Sequence, residues 1–449
     1  MNTASPTLKF SISGLRGVYP DDISPDQWIQ YVRAFAAVLP AGPVAIARDA
    51  RATGPGLLKV ATGVLTLLGR DVHDLGLVPT PTIKAYVNAR RLAGGLMVSA
   101  SHNPAAYNAL KFIKKNGMFF DAEDNEKFVS ALNTTAFWGD FKKQGRVVDA
   151  HDAAIDLHIA SIMKVVKKPK RRLKAVIDPV GSCGAEIAVK LLARLGVRCE
   201  AIHLAETSSF PRPPEPTAPA LKKLAAAVKK HRADVGFAFD PDADRLSIVD
   251  EKGRAIGEEY TLPLAILSAV KPKSTVVINL STSMLSETAA SMRSCKFVRS
   301  AVGEANVVAK MQQLKAPFGG EGNGGVIDAR IPSLGRDALA GVAHIVALIA
   351  SGHAPLSAHV AAIAPTVMVK RTAHNVTAAQ MSAAVDRARG LFKTAALDTT
   401  DGFHLSGTLA GGDKAWVHLR SSNTEPLVRI IAEAASKAEV ETLLAGLGL

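Results

Sequence analysis

Cysteine is scarce in this 449-residue chain: Cys183, Cys199 and Cys295 are the only three. Thiols so far apart build no disulfide framework, and their spacing fits no zinc site. A reducing, cytoplasmic setting is the expectation. Long apolar runs are missing too. No stretch approaches the roughly 18 uninterrupted apolar residues of a membrane-spanning helix. Residues 1–10 lack the apolar core and small-residue cleavage pattern of a secretory signal. Acidic residues are outnumbered, 40 Asp and Glu against 54 Lys and Arg, for a net charge of +14. Such a balance suits a protein that handles anionic, phosphorylated substrates. Part of the excess is local, in KVVKKPKRRLK at residues 164–174. No aromatic residue interleaves there, so the stacking platforms of a nucleic-acid site are absent. Pro169 breaks any helix, and the segment reads as a solvated interdomain linker. No nucleic acid or membrane partner is expected. The Gly-x-Ser-x-Gly elbow of a serine hydrolase is also missing.

Apolar residues are plentiful, at 48%, enough for several buried cores. Length alone predicts roughly three domains of about 150 residues. The order of elements refines this. Strand-like runs at 44–47, 72–75 and 96–98 alternate with helical stretches at 34–39, 56–68 and from Thr80 onward. The style repeats with strands at 174–177, 197–203, 235–239 and 246–249 and helices at 185–195 and 221–231. It repeats again with a strand at 276–280 and helices at 283–292 and 337–350. Alternation of this kind predicts layered α/β domains. The last module is smaller, with strands at 416–419 and 427–433 and a helix at 437–447. The chain is divided into residues 1–150, 151–252, 253–364 and 365–449. Each module carries one polar loop at a strand end, where open α/β sheets place their ligands.

The first of these loops follows the apolar run Leu96-Met97-Val98 and reads Ser99-Ala100-Ser101-His102-Asn103-Pro104. A hydroxyl at such a tip can carry a covalent group when nearby charge supports it. The second loop supplies charge, as Asp240-Pro241-Asp242-Ala243-Asp244-Arg245. Three alternate carboxylates suit one hard cation, and Mg²⁺ takes few protein ligands plus a phosphate oxygen. An EF-hand is the rival reading, with Glu251 at its twelfth position. It fails because Arg245 stands where the motif needs Gly, and because the flanks are strand-like. A purely structural turn is disfavoured by repulsion among the carboxylates. Near the N-terminus, Ser11-Ile12-Ser13-Gly14-Leu15-Arg16-Gly17 reads as a turn. Its functional alternative is a close-approach loop aiming Arg16 at an anion. The Gly-dense loop 319–325 could present Glu321 to sugar hydroxyls. Arg420, Ser422, Asn423 and Thr424 offer a fork, two hydroxyls and an amide. They fit either a phosphate dianion or a hydroxyl-rich turn closed by Pro426.

Taken together, SASHNP, DPDADR, GEGNGG and RSSNTEP resemble the four signature loops of the α-D-phosphohexomutase superfamily, in that family's order. SISGLRG and PRPPEPT also look like family segments, and the likeness covers essentially the whole chain. The resemblance implies three similar mixed-sheet α/β domains plus a smaller C-terminal α+β domain around a central cleft. It implies a phosphoserine at Ser101, with Mg²⁺ held by Ser101, Asp240, Asp242 and Asp244. It implies that Arg16, His102, Lys111 and Arg245 surround the transferring group, with Lys111 or His102 moving the proton. It implies that Glu321 and Asn323 meet the sugar, and that Arg420, Ser422, Asn423 and Thr424 grip the other phosphate. The reaction would interconvert hexose 6- and 1-phosphates through a hexose 1,6-bisphosphate, in a monomer or homodimer.

The Asn-Gly-Gly ending of the sugar loop is most like the phosphoglucosamine mutase branch, which shades into phosphomannomutases and phosphoglucomutases. Many members end this loop in Ser-Gly-His. Here Asn323-Gly324-Gly325 stands instead, so no histidine role carries over. Ala109 stands where many have Gly, and Ala301 where many have Lys. Arg299 is the candidate cation to take the place of that Lys.

Overall fold

The computed structural model describes residues 9–11, 14–134, 138–140, 142–421 and 427–449. Four sheets organise them. Three sheets share one four-stranded plan. In the first, the strands run side by side in the order Val72–Leu77, Val44–Arg48, Gly94–Val98, Tyr107–Lys114. In the second the order is Arg198–Ala201, Lys174–Asp178, Val235–Phe239, Leu246–Asp250. In the third it is Lys296–Ser300, Thr275–Asn279, Phe318–Glu321, Gly325–Asp328. Each time the first three strands are parallel and the last turns back antiparallel. Parallel neighbours need crossover helices, and the burial of the central strands follows from those helices. Val235–Phe239, for example, is buried at every position.

This repetition positions the chemistry. The hairpin turn between third and fourth strands is the Ser101 loop in the first sheet. In the second it is Asp240–Arg245, and in the third Gly322–Gly324. One structural position, used three times, thus delivers three polar loops.

The first sheet is longer than its counterparts. Val147–Asp149 extends one side, and Gly14–Val18 then Lys9–Ser11 extend the other. The sequence reading of a turn or loop around Arg16 is therefore corrected: Arg16 lies on a strand, paired with Ala109. Side chains two apart share a face of a strand, so Arg16 and Lys111 come to one side of the sheet. The Gly-dense stretch is likewise not a plain loop. Phe318–Glu321 is a buried strand, and the glycines mark close approach. A Cβ at Gly319 would lie 2.5 Å from the Val277 carbonyl oxygen and 2.8 Å from Met311 Sδ.

A continuous core joins the three units. Helix Ala338–Ala350 is apolar on nearly all sides and almost wholly buried, as an all-round hydrophobic helix must be. Its cap, Asp337, accepts from the Leu339 and Ala340 amides, both at 3.0 Å. The same carboxylate meets His158 Nε2 at 2.8 Å, and His158 Nδ1 meets Thr82 Oγ1 at 2.9 Å. One buried imidazole therefore ties the first unit to the third.

The C-terminal unit is a fully antiparallel five-stranded sheet. Its strand order is Val367–His374, Leu427–Ala434, Lys414–Ser421, Phe403–Leu409, Phe392–Asp398. Helices Ala378–Arg389 and Lys437–Leu447 pack together on it over a separate core. Glu433 fixes this unit to the third, accepting from the Met284 amide at 2.9 Å and from Trp416 Nε1 at 2.7 Å. The basic segment lies between helix His151–Val165 and strand Lys174–Asp178, where Arg171 pairs with Asp234 at 3.1 Å. No helix among the described residues is long and apolar enough to cross a membrane.

Candidate active site

The three hairpin turns converge on one cavity of about 340 Å³. Arg16, Ser101, His102, Lys111, Arg245, Glu321, Asn323 and Arg420 all line it. Of the described site residues expected from the sequence, Asp240, Asp242 and Asp244 are not among those lining the cavity. Ser422, Asn423 and Thr424 lie outside the described residues.

Ser101 is 2% exposed, with φ of +50°, a conformation that costs a non-glycine residue energy. The surroundings enforce it. Buried Arg51 donates through Nη2 to the carbonyls of Ser101 and Asn103, both at 2.7 Å, and through Nη1 to that of Tyr107 at 2.9 Å. Asp49 holds Arg51 Nε at 3.0 Å and accepts from Ser99 Oγ at 2.6 Å. Ser99 Oγ in turn accepts from the Ser101 amide at 3.0 Å. Asp49 and Arg51 look unremarkable in sequence; a strand-end acid two residues before an arginine was the only signal.

Ser101 Oγ donates to Asp240 Oδ2 at 2.7 Å. Asp240, Asp242 and Asp244 are fully buried, and their facing oxygens lie within 4.8 Å of one another. Cations offset part of this charge. Lys111 Nζ reaches Asp242 at 2.5 Å and Asp244 at 3.8 Å, and Arg336 Nη2 reaches Asp244 at 2.7 Å. Yet Asp242 Oδ1 and Asp244 Oδ1 are buried without a hydrogen-bond partner. Orphaned carboxylate oxygens are costly unless something else binds them. An all-oxygen donor set with two oxygens to spare fits a hard divalent cation. The other acidic cluster among the described residues, His151, Asp152 and Glu186, is partly exposed and already shared with Lys190.

Charge around the cavity follows from burial and neighbours. Burial, with Arg245, Arg16 and Arg336 close by, pushes the His102 imidazole down to about 2, so it is neutral. Burial opposes the charge on Lys111, but Asp242 and Asp244 outweigh it and its pKa is raised. His102 Nδ1 lies 3.5 Å from Ser101 Oγ. Arg245 is oriented by Glu215, which the Pro-rich run delivers, and Arg16 Nη1 donates to Asn103 Oδ1 at 2.7 Å. Arg299 does not replace the missing Lys. It pairs with Glu287 and donates to the carbonyls of Asn279, Leu280 and Thr282, away from the cavity. Arg420 reaches Asp401 at 3.4 Å.

Glu321 accepts from Asn279 Nδ2 at 2.7 Å and from the Gly303 amide at 3.1 Å, both on Oε1, and from Arg336 Nη1 at 3.1 Å on Oε2. Arg336 and Glu304 are further functional candidates absent from the sequence reading. A basic residue just before a helix cap carries no local signal.

Glu259 lies under the sugar turn, and a Cβ on Gly322 would be 1.9 Å from its Oε2. Burial pushes Glu259 up to about 7, against the pull of Lys370 2.9 Å away. The folded protein therefore holds this proton more tightly than the unfolded chain does. Its stabilising contribution is full below the ordinary value of 4.5 and is lost as pH rises through 7. Glu259→Gln keeps the neutral form at all pH. Thermal melts should then show the variant gaining on wild type between pH 4.5 and 7, by on the order of 3 kcal/mol. Parallel melting curves across that range would mean Glu259 titrates normally.

Comparison with known proteins gives a consistent match. Residues 7–137, 157–253 and 259–367 match the phosphoglucomutase/phosphomannomutase alpha/beta/alpha domains I, II and III. Residues 384–447 match the C-terminal domain of the same family. A probable phosphoglucosamine mutase of Methanopyrus kandleri is 31% identical, covering 97% of this chain and 95% of the relative. A phosphoglucomutase/phosphomannomutase of Thermococcus kodakarensis is also 31% identical, covering 97% and 96%. A crystal structure of a phosphoglucomutase/phosphomannomutase family protein from Burkholderia thailandensis superposes with a TM-score of 0.84. It is 25% identical, over 97% of this chain and 95% of that one.

Proposed function

The chain belongs to the phosphoglucomutase/phosphomannomutase family, within the α-D-phosphohexomutases, and from that premise we propose that it interconverts glucosamine 6-phosphate and glucosamine 1-phosphate. The single observation carrying the mechanism is Ser101 Oγ at 2.7 Å from Asp240, at the floor of an arginine-lined cavity. Phosphorylated Ser101 gives its phosphoryl group to the free hydroxyl of the sugar monophosphate. The Ser101 Oγ–P bond breaks, a sugar O–P bond forms, and the hydroxyl proton leaves. The 1,6-bisphosphate turns in the cleft, and its other phosphoryl group returns to Ser101.

Catalysis here is chiefly positioning and neutralisation. Arg16 and Arg245 border the transferring group. Lys111 sits against Asp242 and Asp244 and His102 faces Ser101 Oγ, and these two are the candidates for moving the proton. Asp240, Asp242, Asp244 and Ser101 would hold Mg²⁺, which when bound supplies positive charge against the phosphoryl oxygens. Glu321 and Asn323 meet the sugar, and Asn323 Oδ1 has no partner among the described residues. Arg420 with Ser422, Asn423 and Thr424 receives the resting phosphate. We place the domain borders after residues 150, 252 and 364, and the enzyme in the cytoplasm as a monomer or homodimer.

The names of equally identical relatives favour two sugars. The Methanopyrus name supports glucosamine phosphate, and the Thermococcus name supports mannose or glucose phosphate as the second reading. The test is isomer formation from glucosamine 6-phosphate, mannose 1-phosphate and glucose 1-phosphate side by side, with Mg²⁺ and a trace of hexose 1,6-bisphosphate. Preference for the glucosamine ester is expected. Preference for a neutral hexose would replace the first reading by the second.

A further inference from the structure

We propose that Arg336 is the positioning residue of the sugar subsite, fixing Glu321 and occupying the space that glycine at position 325 leaves open. The proposal rests on the phosphohexomutase reading above and adds a residue to it.

Three observations carry it. First, the Arg336 guanidinium meets carboxylates from three separate segments. Nη2 reaches Asp244 of the metal turn at 2.7 Å, Nη1 reaches Glu321 of the sugar turn at 3.1 Å, and Nε reaches Glu304 at 3.2 Å. Glu304 opens the helix Glu304–Leu314 and is itself paired with buried Lys84 from the first unit. Second, Arg336 lines the cavity. It is the only partner of Glu321 Oε2 among the described residues, whereas Oε1 is held by Asn279 and Gly303. Without Arg336 the carboxylate keeps its anchor but loses its orientation.

Third, Gly325 and Arg336 require each other. A Cβ at Gly325 would lie 2.3 Å from Arg336 Cδ and 2.7 Å from Cγ. Those are stem atoms of a side chain whose far end is tied down by three carboxylates, so it cannot step aside cheaply. Gly325 does not have a left-handed φ, so backbone conformation does not call for glycine there. Space does. Glycine at this position leaves room for a side chain that arrives from the segment before helix Ala338–Ala350.

A charged hydrogen bond that orients a binding group is worth about 10- to 100-fold in affinity. Binding of glucosamine 6-phosphate and of glucose 6-phosphate is measured by calorimetry in a Ser101→Ala background, with inorganic phosphate as the control probe. Arg336→Met is expected to weaken both sugar phosphates at least tenfold and to leave inorganic phosphate within about twofold. In turnover, KM should rise more than kcat falls, and Arg336→Lys should recover part of the loss. Gly325→Ala keeps every charge and tests the packing argument separately. It should weaken sugar-phosphate binding in the same sense. The Gly325→Ala/Arg336→Met pair should be no worse than Arg336→Met alone, because the two changes act on one contact.

Unchanged sugar-phosphate affinity in Arg336→Met, equal weakening of inorganic phosphate, or additive losses in the double variant would each overturn the proposal. Wild-type protein that isomerises no hexose phosphate would defeat the underlying reading instead. The two failures are therefore distinguishable.

Discussion

Ser101→Ala is expected to lower mutase turnover by at least about 10⁴-fold, because the proposed mechanism makes Ser101 the covalent carrier of the phosphoryl group. Among the described residues no neighbouring hydroxyl can substitute. Ser99 Oγ is bonded to Asp49 and to the Ser101 amide, Thr80 Oγ1 to Asp242, and Ser182 Oγ to the Pro241 carbonyl. Folding should survive the change. The left-handed backbone at this position is held by Arg51 through carbonyl oxygens, which alanine retains. The loss is one hydrogen bond to Asp240, about 1–3 kcal/mol, and Asp240 still accepts from the amides of Asp244 and Arg245, both at 3.1 Å. A steady-state assay with added hexose 1,6-bisphosphate, beside a thermal melt, separates the two effects. Substantial retained turnover would remove the phosphoserine from the mechanism. Loss of turnover together with a collapsed melting temperature would assign Ser101 a structural role.

Arg51 shows where the sequence stops being informative. Ser101 and the three aspartates were legible because each set sits within one hairpin turn. All their chemistry falls in six consecutive residues, and the turn type needs small and polar residues there. Arg51, Glu304 and Arg336 act across long stretches of chain. Each is one basic or acidic residue among many, and only the folded arrangement of parallel strands brings it to the turn it supports. The same reason explains the two misread local structures. Gly14–Val18 holds two glycines, and Phe318–Glu321 holds two more, so neither has the residue types that mark a strand. Tertiary packing imposed the strand in both cases: antiparallel pairing to Tyr107–Lys114 for one, and close approach of Val277 and Met311 for the other. The threefold repetition of the strand plan was visible as a rhythm of elements. Its functional consequence, that three loops are one hairpin turn used three times, required the strand order.

The aspartate triad has a consequence for stability as well as for turnover. Chelation of divalent cations should abolish activity, and Mg²⁺ should restore it. Independently of activity, saturating Mg²⁺ should raise the melting temperature. A ligand at a hundred times its dissociation constant adds about 2.7 kcal/mol to the state that binds it, or several degrees for a domain of this size. Asp240→Asn separates charge from shape. Unlike Asp242, which meets Lys111, and Asp244, which meets Arg336, Asp240 has no cation at ion-pair distance among the described residues. Its hydrogen bonds come from Ser101 Oγ and two backbone amides, and the asparagine carbonyl can still accept the amides. What the substitution removes is one of three carboxylates confined within 4.8 Å, whose charge is disfavoured by burial and by the neighbouring Asp244 and Asp242. The metal-free variant should therefore melt no lower than metal-free wild type, and higher if repulsion outweighs the altered Ser101 contact. Its Mg²⁺-dependent rise in melting temperature should be reduced or lost, along with turnover. A wild-type protein whose melting and turnover both ignore Mg²⁺ and chelator would show that Lys111 and Arg336 suffice to neutralise the triad. An Asp240→Asn variant that keeps the full Mg²⁺ response would place the cation elsewhere.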